Sequence, residues 1–172
     1  MSEKNIYLVG PMGVGKSTIG RLLATELSLT FHDSDRVIEE RTGADIPWIF
    51  DMEGESGFRD RETAVLADLA TGKQLVIATG GGIITRPENI AIMKASGYIC
   101  YLTASVDQLV ERTARDKKRP LLQVENPRQR IVELLVQRDP LYASAADFII
   151  NTDRRSPRSV AMEIASLVSA AT

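Results

Sequence analysis

The sequence lacks several features that mark particular classes of protein. Its apolar runs fall short of the roughly 18 residues needed to cross a membrane, and its opening residues do not form a signal peptide. It has no excess of basic residues, since its formal net charge is −2, whereas proteins that bind nucleic acid usually present a basic face. The one cysteine, Cys100, cannot form an internal disulfide, which suits a reducing compartment. These absences predict a soluble, cytoplasmic protein that binds neither membranes nor nucleic acid.

Internal repeats, low-complexity tracts and long linkers are also missing, which predicts one domain over residues 1–172. What recurs is a short apolar run followed by a segment of helical periodicity. Most runs are rich in β-branched or aromatic residues, as expected of strands buried on both faces. The runs cover residues 6–9, 29–31, 75–78, 98–102 and 148–150. Pro87, Pro127 and Pro157 stand where helices are expected to begin, with Ser156 as a cap before the last.

This alternation predicts an α/β fold of three layers, in which helices cover both faces of a parallel sheet of about five strands. Two segments interrupt it: residues 36–74 hold a long helical insertion, and residues 112–126 hold a charged segment containing Pro120. Ligands of such sheets bind beyond the carboxyl ends of the strands, so we expect both segments to close over that edge. The alternative for the charges at 115–119 is a solvated surface.

Residues 10–17, Gly-Pro-Met-Gly-Val-Gly-Lys-Ser, match the P-loop pattern G-x-x-x-x-G-K-[ST] in full. The glycines let backbone N–H groups surround phosphate oxygens. Lys16 brings a positive charge to the β- and γ-phosphates of ATP, and the Ser17 hydroxyl binds Mg²⁺. The alternative is a glycine-rich turn that matches by chance, but an apolar strand precedes these residues and an amphipathic helix follows them. The pattern therefore predicts a site for ATP and magnesium.

Two acidic residues, Asp33 and Asp35, directly follow the second apolar run. If the segment is extended, both carboxylates lie on one side of it, at the edge where the P-loop is expected. No Asp ends the third run, which favours Asp33 as the acid on the metal side. Asp35 then orients or deprotonates the attacking hydroxyl. The alternative is a solvated turn that caps the next helix.

A set of further motifs resembles shikimate kinase over residues 5–168, essentially the whole chain. Besides the P-loop and the two acids, it comprises Gly54-Glu55-Ser56-Gly57-Phe58-Arg59, Thr79-Gly80-Gly81-Gly82, Arg119-Pro120-Leu121-Leu122 and Arg138-Asp139-Pro140-Leu141-Tyr142. The resemblance implies a monomer with the fold of nucleoside monophosphate kinases, a substrate-binding subdomain at about 33–62 and a lid at about 112–126. It also implies that the γ-phosphate of ATP passes to the 3-hydroxyl of shikimate, a step toward chorismate and the aromatic amino acids.

The same resemblance assigns roles to individual residues. The acceptor is expected to contact Asp35, Arg59, Gly80, Gly81, Gly82 and Arg138. The nucleotide is expected to contact Gly13, Val14, Gly15, Lys16, Ser17, Thr18, Arg112, Arg119, Arg155 and Pro157. Catalysis is expected to depend on Lys16, Asp35 and Arg119, and magnesium binding on Ser17 and Asp33.

Residue chemistry supports the acceptor residues but leaves alternatives open. A carboxylate is well matched by the planar, bidentate guanidinium of arginine. Arg59 stands among charged neighbours, so it is also compatible with a ladder of ion pairs at the surface. Arg138 is also compatible with the end of a helix, where a positive charge is favourable. The three glycines at 80–82 are also compatible with a simple turn.

Three rival functions remain at this point. A kinase for another small molecule, such as gluconate, shares the P-loop but is not expected to combine Arg59, the glycine triplet and Arg138. A nucleoside monophosphate kinase takes a nucleotide as its acceptor. A nucleotide-dependent switch or assembly factor hydrolyses ATP without any acceptor. The dependence of turnover on an added acceptor separates these classes.

Overall fold

The computed structural model describes residues 3–115 and 124–172. Five strands within these residues form one sheet in the order β2-β3-β1-β4-β5, and every pairing is parallel. The strands are β1 (Asn5–Val9), β2 (Thr30–Asp33), β3 (Leu75–Ala78), β4 (Gly97–Thr103) and β5 (Phe148–Asn151). The helices are α1 (Lys16–Leu27), α2 (Ser34–Thr42), α3 (Ile46–Leu69), α4 (Pro87–Ser96), α5 (Val106–Thr113), α6 (Pro127–Ala145) and α7 (Pro157–Ala171). The predicted α/β fold with a five-stranded parallel sheet is confirmed.

The three layers follow from the alternation of side chains along the strands. Ile6 and Leu8 of β1 belong to one buried cluster, which includes residues of α1 and α7. Tyr7 and Val9 point to the other face of the sheet and belong to a second cluster, which includes residues of α3 and α4. Helices therefore cover both faces of the sheet.

The two edge strands are less buried than predicted. β2 begins one residue later than the apolar run at 29–31, and its first residue, Thr30, is exposed. At the opposite edge, Ile149 of β5 is 58% exposed. The covering helices pack over the middle of the sheet, so burial on both faces is complete for the central strand β1, all of whose residues are buried.

The predicted helical insertion at 36–74 consists of α2 and α3. Gly54 interrupts α3 with φ of 73° and ψ of 178°, a conformation that glycine adopts readily because it has no Cβ. The guanidinium of Arg61 spans this interruption with two hydrogen bonds of 2.7 Å to the Glu53 carboxylate. A third buried cluster contains Ile38, Ile49, Phe58 and Val65. The insertion therefore has a small apolar core of its own.

The predicted helix starts agree with the structure. Pro87, Pro127 and Pro157 each occupy the first turn of a helix, and the Ser156 hydroxyl accepts a hydrogen bond of 3.1 Å from the main-chain N–H of Ser159. Since the strands are parallel, the loops that follow β1, β2 and β3 lie at the same edge of the sheet. None of the helices described here is long and apolar enough to cross a membrane.

Candidate active site

The P-loop connects β1 to α1 at the carboxyl edge of the sheet. Gly13 and Gly15 have φ angles of 85° and 104°, which residues with a side chain rarely adopt. Beside the loop lies a cavity of about 210 Å³, lined by Gly13, Gly15, Lys16, Ser17, Thr18, Asp33, Asp35 and Thr79. Residues of the P-loop and the two acidic residues Asp33 and Asp35 thus line the same cavity.

Lys16 is the first residue of α1, and its ammonium group lies inside the loop. Its Nζ donates hydrogen bonds to the main-chain oxygens of Gly10 (2.6 Å) and Pro11 (3.0 Å). The amino end of α1 adds its own partial positive charge at the same place. Loop N–H groups, helix end and ammonium together form a site that favours a phosphate.

The Ser17 hydroxyl and the Asp33 carboxylate meet in this cavity. Ser17 Oγ donates to Asp33 Oδ2 at 2.6 Å, while Asp33 Oδ1 accepts from the main-chain N–H of Asp35 at 3.0 Å. Asp33 is therefore the N-cap of α2, which begins at Ser34, because a carboxylate satisfies free N–H groups of a first helical turn. The prediction of an extended segment through Asp33 and Asp35 is wrong.

Asp35 faces the cavity from the first turn of α2. Its carboxylate fits there because residue 80 is a glycine: a Cβ atom at this position would lie 2.8 Å from Asp35 Oδ1 and 2.8 Å from Oε2 of Glu62. Two carboxylates, one on α2 and one on α3, therefore approach the same glycine. Because Asp35 also lines the phosphate cavity, its carboxylate is placed to accept a proton or hydrogen bond from a hydroxyl bound there.

Arg59 is buried, with 7% of its surface exposed. Its Nη1 donates to Oε1 of Glu62 at 2.9 Å, and its Nη2 lies 3.6 Å from a carboxylate oxygen of Glu55. Glu62 is completely buried, and this burial raises the pKa of its carboxyl, although the Arg59 guanidinium acts in the opposite direction. The alternative of a solvated ladder of ion pairs is therefore wrong, because the closest pair lies inside the protein.

Arg138 lies within α6, and 6% of its surface is exposed. The helix continues past Pro140 to Ala145, so the alternative that Arg138 merely ends a helix is wrong. Among the described residues, no carboxylate lies within ion-pair distance of its guanidinium. Burial lowers the pKa of Arg138, because a charge is unfavourable away from water. A buried guanidinium without a carboxylate partner is suited to bind an anion.

The glycine triplet is the point where these groups converge. A Cβ built on Gly82 would overlap the Arg59 guanidinium, and one on Gly81 would lie 3.5 Å from Nη1 of Arg138. All three glycines are buried, yet within the described residues the N–H groups of Gly80, Gly81 and Gly82 donate to no acceptor. Buried N–H groups are nearly always hydrogen-bonded. The triplet is therefore more than a turn, because it presents donors beside two buried arginines.

A second cavity, of about 260 Å³, lies on the other side of the P-loop. Its lining consists of Val14, Gly15, Thr18, Ile19, Arg112, Thr152, Arg155, Pro157 and Val160. Arg112 approaches from α5 and donates from Nη1 to the main-chain oxygen of Val14 at 2.8 Å. Arg155 is held by Glu163, with Nη1 and Oε2 at 3.2 Å. The predicted nucleotide residues Thr18, Arg112, Arg155 and Pro157 thus surround one space next to the P-loop.

Similarity to known proteins shows which family the chain belongs to. The family model described as shikimate kinase matches residues 12–169. The chain belongs to the shikimate kinase family. The shikimate kinase of Pseudomonas savastanoi pv. phaseolicola is 58% identical over 161 residues, which is 94% of each chain. That of Chromohalobacter salexigens is 57% identical over 159 residues, or 92% of this chain and 88% of the relative.

The fold of the chain is also similar to those of solved shikimate kinases. The enzyme from Acinetobacter baumannii in complex with shikimate has a TM-score of 0.97 at 51% identity, covering 99% of this chain and 96% of its own. The enzyme from Aquifex aeolicus has a TM-score of 0.83 at 35% identity, covering 96% and 98%. A gluconokinase from Sinorhizobium meliloti has a TM-score of 0.62 at 13% identity, covering 98% and 93%, which is a likeness of fold alone.

Sequence reasoning missed two buried residues of this candidate site, Glu62 and Tyr142. Glu62 holds Arg59, and the Tyr142 hydroxyl donates a hydrogen bond to the main-chain oxygen of Gly81. Each stands three or four residues after a predicted arginine, a spacing that places two side chains on the same side of a helix. That spacing was the signal that could have revealed them. Arg119 and most of the predicted lid lie outside the described residues, which omit 116–123.

Proposed function

We propose that this chain performs the reaction of its family with the residues described above, passing the γ-phosphate of ATP to the 3-hydroxyl of shikimate. The products are shikimate 3-phosphate and ADP, on the route to chorismate and the aromatic amino acids. One observation carries the proposal for the site: beside the phosphate cavity, two buried arginines meet three N–H groups that have no acceptor among the residues the structure describes. This is a site for an acceptor that bears a carboxylate, placed next to a site for ATP.

The acceptor's carboxylate binds to Arg59 and Arg138. Arg59 is already held by Glu62 at 2.9 Å, so its guanidinium is oriented before the acceptor arrives. Arg138 has no such carboxylate among the described residues, and the acceptor supplies the missing negative charge. The N–H groups of the glycine triplet offer further hydrogen bonds, since Cβ atoms are absent where the ring approaches the main chain.

The hydroxyl that receives the phosphoryl group is bound by Asp35. This carboxylate lines the same cavity as Lys16 and Ser17, so a hydroxyl bound to Asp35 faces the end of the nucleotide's phosphate chain. Asp35 orients this hydroxyl and accepts its proton as the new bond to phosphorus forms and the bond to the β-phosphate oxygen breaks. Lys16 stabilises the charge that develops on the transferred group. By resemblance, Arg119 acts on the same phosphates.

Magnesium fits the pair formed by Ser17 and Asp33. A hydroxyl and a carboxylate are hard oxygen donors, and they face each other at 2.6 Å. Among the described residues, no group of three or more His, Cys, Asp or Glu side chains is assembled for a metal. Magnesium does not need such a cage, because it usually keeps several waters and binds one or two protein ligands and the phosphates of its nucleotide. When bound, it neutralises charge on the β- and γ-phosphates.

The adenine lies in the second cavity, between Arg112 and the loop that carries Arg155 and Pro157. Arg112 fixes the P-loop through Val14, so base binding and phosphate binding share one side chain.

We further propose that residues 33–62 form a substrate-binding subdomain and residues 112–126 a lid, by resemblance. A cytoplasmic monomer that binds neither nucleic acid nor membranes completes the proposal, and the net charge of −2 supports it.

Replacement of Arg138 by Ala tests the proposed acceptor site. In the part of the chain that the structure describes, Arg138 leaves no carboxylate partner behind when it is replaced. Arg59→Ala would instead leave the buried Glu62 without its counter-charge and endanger the fold. We expect Arg138→Ala to weaken shikimate binding roughly 10- to 100-fold, the loss of charge-assisted hydrogen bonds, and to leave ADP binding unchanged. Calorimetric titration with each ligand measures both constants.

Arg128→Ala is the matched control for this variant. Arg128 lies on the same helix, but its side chain is 56% exposed and pairs with Asp107 at 2.7 Å, an interaction of little energetic weight. The control is expected to bind shikimate as the parent does. An equal loss of shikimate affinity in both variants, or a loss of ADP affinity in Arg138→Ala that matches its loss for shikimate, contradicts the proposed site.

A further inference from the structure

The side chain of Tyr142 contacts two parts of the proposed acceptor site. It is completely buried, and its hydroxyl donates a hydrogen bond to the main-chain oxygen of Gly81. Arg138 stands one helical turn earlier on α6, and the two side chains line the same cavity beside Pro11 and Met12 of the P-loop. Tyr142 therefore neighbours an arginine of the site and is hydrogen-bonded to the middle residue of the glycine triplet.

The protonation of Tyr142 permits both contacts at once. Burial raises the pKa of Tyr142 to about 12, although the nearby Arg138 and Arg59 act in the opposite direction. The hydroxyl therefore keeps its proton near neutral pH and can donate a hydrogen bond to the main-chain oxygen of Gly81. Its lone pairs remain free to accept from a guanidinium, since a phenol oxygen is both donor and acceptor.

The contact with Gly81 fixes the direction of a peptide plane. The carbonyl of Gly81 and the N–H of Gly82 belong to the same trans peptide, so they point in opposite directions. Holding the carbonyl toward Tyr142 therefore turns the N–H of Gly82 away from it. That N–H has no acceptor among the described residues, and its direction is set by a side chain on another element.

We infer that Tyr142 is a positioning residue for carboxylate recognition, in which one buried hydroxyl fixes both Arg138 and the glycine triplet. This inference rests on the proposed function, because it assumes that the acceptor's carboxylate binds at these groups. Tyr142 touches neither the nucleotide cavity nor the phosphate cavity. Its loss should therefore affect the binding of the acceptor and not that of the nucleotide.

A neighbouring tyrosine supplies a matched control. Tyr101 of β4 stacks on Tyr142 with ring centroids 4.7 Å apart, and it is also buried. Its hydroxyl donates to Asp139 at 2.6 Å and not to the triplet. Tyr142→Phe and Tyr101→Phe thus each remove one buried hydroxyl from the same stack, and only the first removes a contact with the acceptor site.

The experiment compares the affinity of each variant for shikimate and for its neutral carboxamide, with ADP affinity as a check on folding. We expect the parent to bind shikimate more tightly than the carboxamide. In Tyr142→Phe the ratio of the two affinities should fall about tenfold, as for one misplaced charge-assisted hydrogen bond. In Tyr101→Phe the ratio should equal that of the parent. In steady-state assays the KM for shikimate should rise in Tyr142→Phe while the KM for ATP stays the same. The preference is a ratio of affinities, so partial unfolding of a sample does not change it.

Two contrary outcomes have different meanings. If the parent binds the carboxamide as tightly as shikimate, the proposed role of Arg59 and Arg138 is wrong, and the inference on Tyr142 falls with it. If the parent discriminates but Tyr142→Phe retains the full preference, or if Tyr101→Phe loses it equally, Tyr142 has only a structural role.

Discussion

Lys16→Ala is expected to lower kcat on the order of 10³-fold, while the protein still folds. Phosphoryl transfer places negative charge on the transferred group and on the leaving oxygen, and a positioned cation stabilises that charge more in the transition state than in the bound substrate. The Lys16 ammonium lies inside the P-loop, where it donates to the main-chain oxygens of Gly10 and Pro11. Steady-state rates with saturating ATP and shikimate measure the loss.

The same contacts make a second variant necessary. Because the Lys16 ammonium also donates to two carbonyls of its own loop, Ala removes the apolar stem of the side chain together with the charge and these hydrogen bonds, whereas Lys16→Met keeps most of the stem and removes the charge and the hydrogen bonds it makes. Both variants should lose activity to a similar extent. The control is Lys73→Ala, since Lys73 is exposed and pairs with Glu3 at the surface, 2.7 Å away. Substantial turnover in Lys16→Met would contradict the role of the charge.

Asp35→Asn is expected to lower kcat by 10²-fold or more, in the range found for lost proton-transfer catalysis. Asn has the same shape as Asp but neither its charge nor its basicity. The oxygen Oδ1 of Asp35 approaches the same glycine as Oε2 of the buried Glu62. Because Asn keeps the shape of Asp and Asp35 lines an open cavity, we expect Asp35→Asn to fold with a melting temperature close to that of the parent.

An exposed carboxylate of the same insertion provides the control for Asp35. Asp51 is exposed on α3, and Asp51→Asn should keep the parent's rate. Loss of activity together with retained or increased thermal stability is typical of a residue kept for function. If Asp35→Asn unfolds at a clearly lower temperature, its carboxylate stabilises the fold and the lost activity does not identify a base.

The fold was predictable because its signals are local and repeated. Short apolar runs, helical periodicity and helix-starting residues such as Pro157 with its cap Ser156 require no knowledge of distant contacts. The same reasoning misjudged the ends of the sheet, since Ile149 looks like a core residue in sequence and is 58% exposed on an edge strand. Strand order decides which strands are edges, and no local signal carries it.

The candidate site was predictable where residues form a continuous motif, as in the P-loop. The error at Asp33 arose because a residue that ends a strand can also cap the helix that follows it directly. Glu62 was missed because an acid among charged neighbours looks solvated, and only the packing of α3 shows that it is buried against Arg59. Tyr142 was missed because its partner, the carbonyl of Gly81, is 61 residues away in sequence.

The most direct test of the account is whether ATP turnover depends on shikimate. The protein is incubated with Mg²⁺ and ATP, alone and with shikimate, gluconate or a nucleoside monophosphate, and ADP and the phosphorylated product are measured by mass spectrometry. The account predicts negligible ADP without an acceptor, rapid formation of ADP and shikimate 3-phosphate in equal amounts with shikimate, and loss of both when Mg²⁺ is chelated. Faster turnover with gluconate or a nucleoside monophosphate, or equal ADP release without any acceptor, would contradict it.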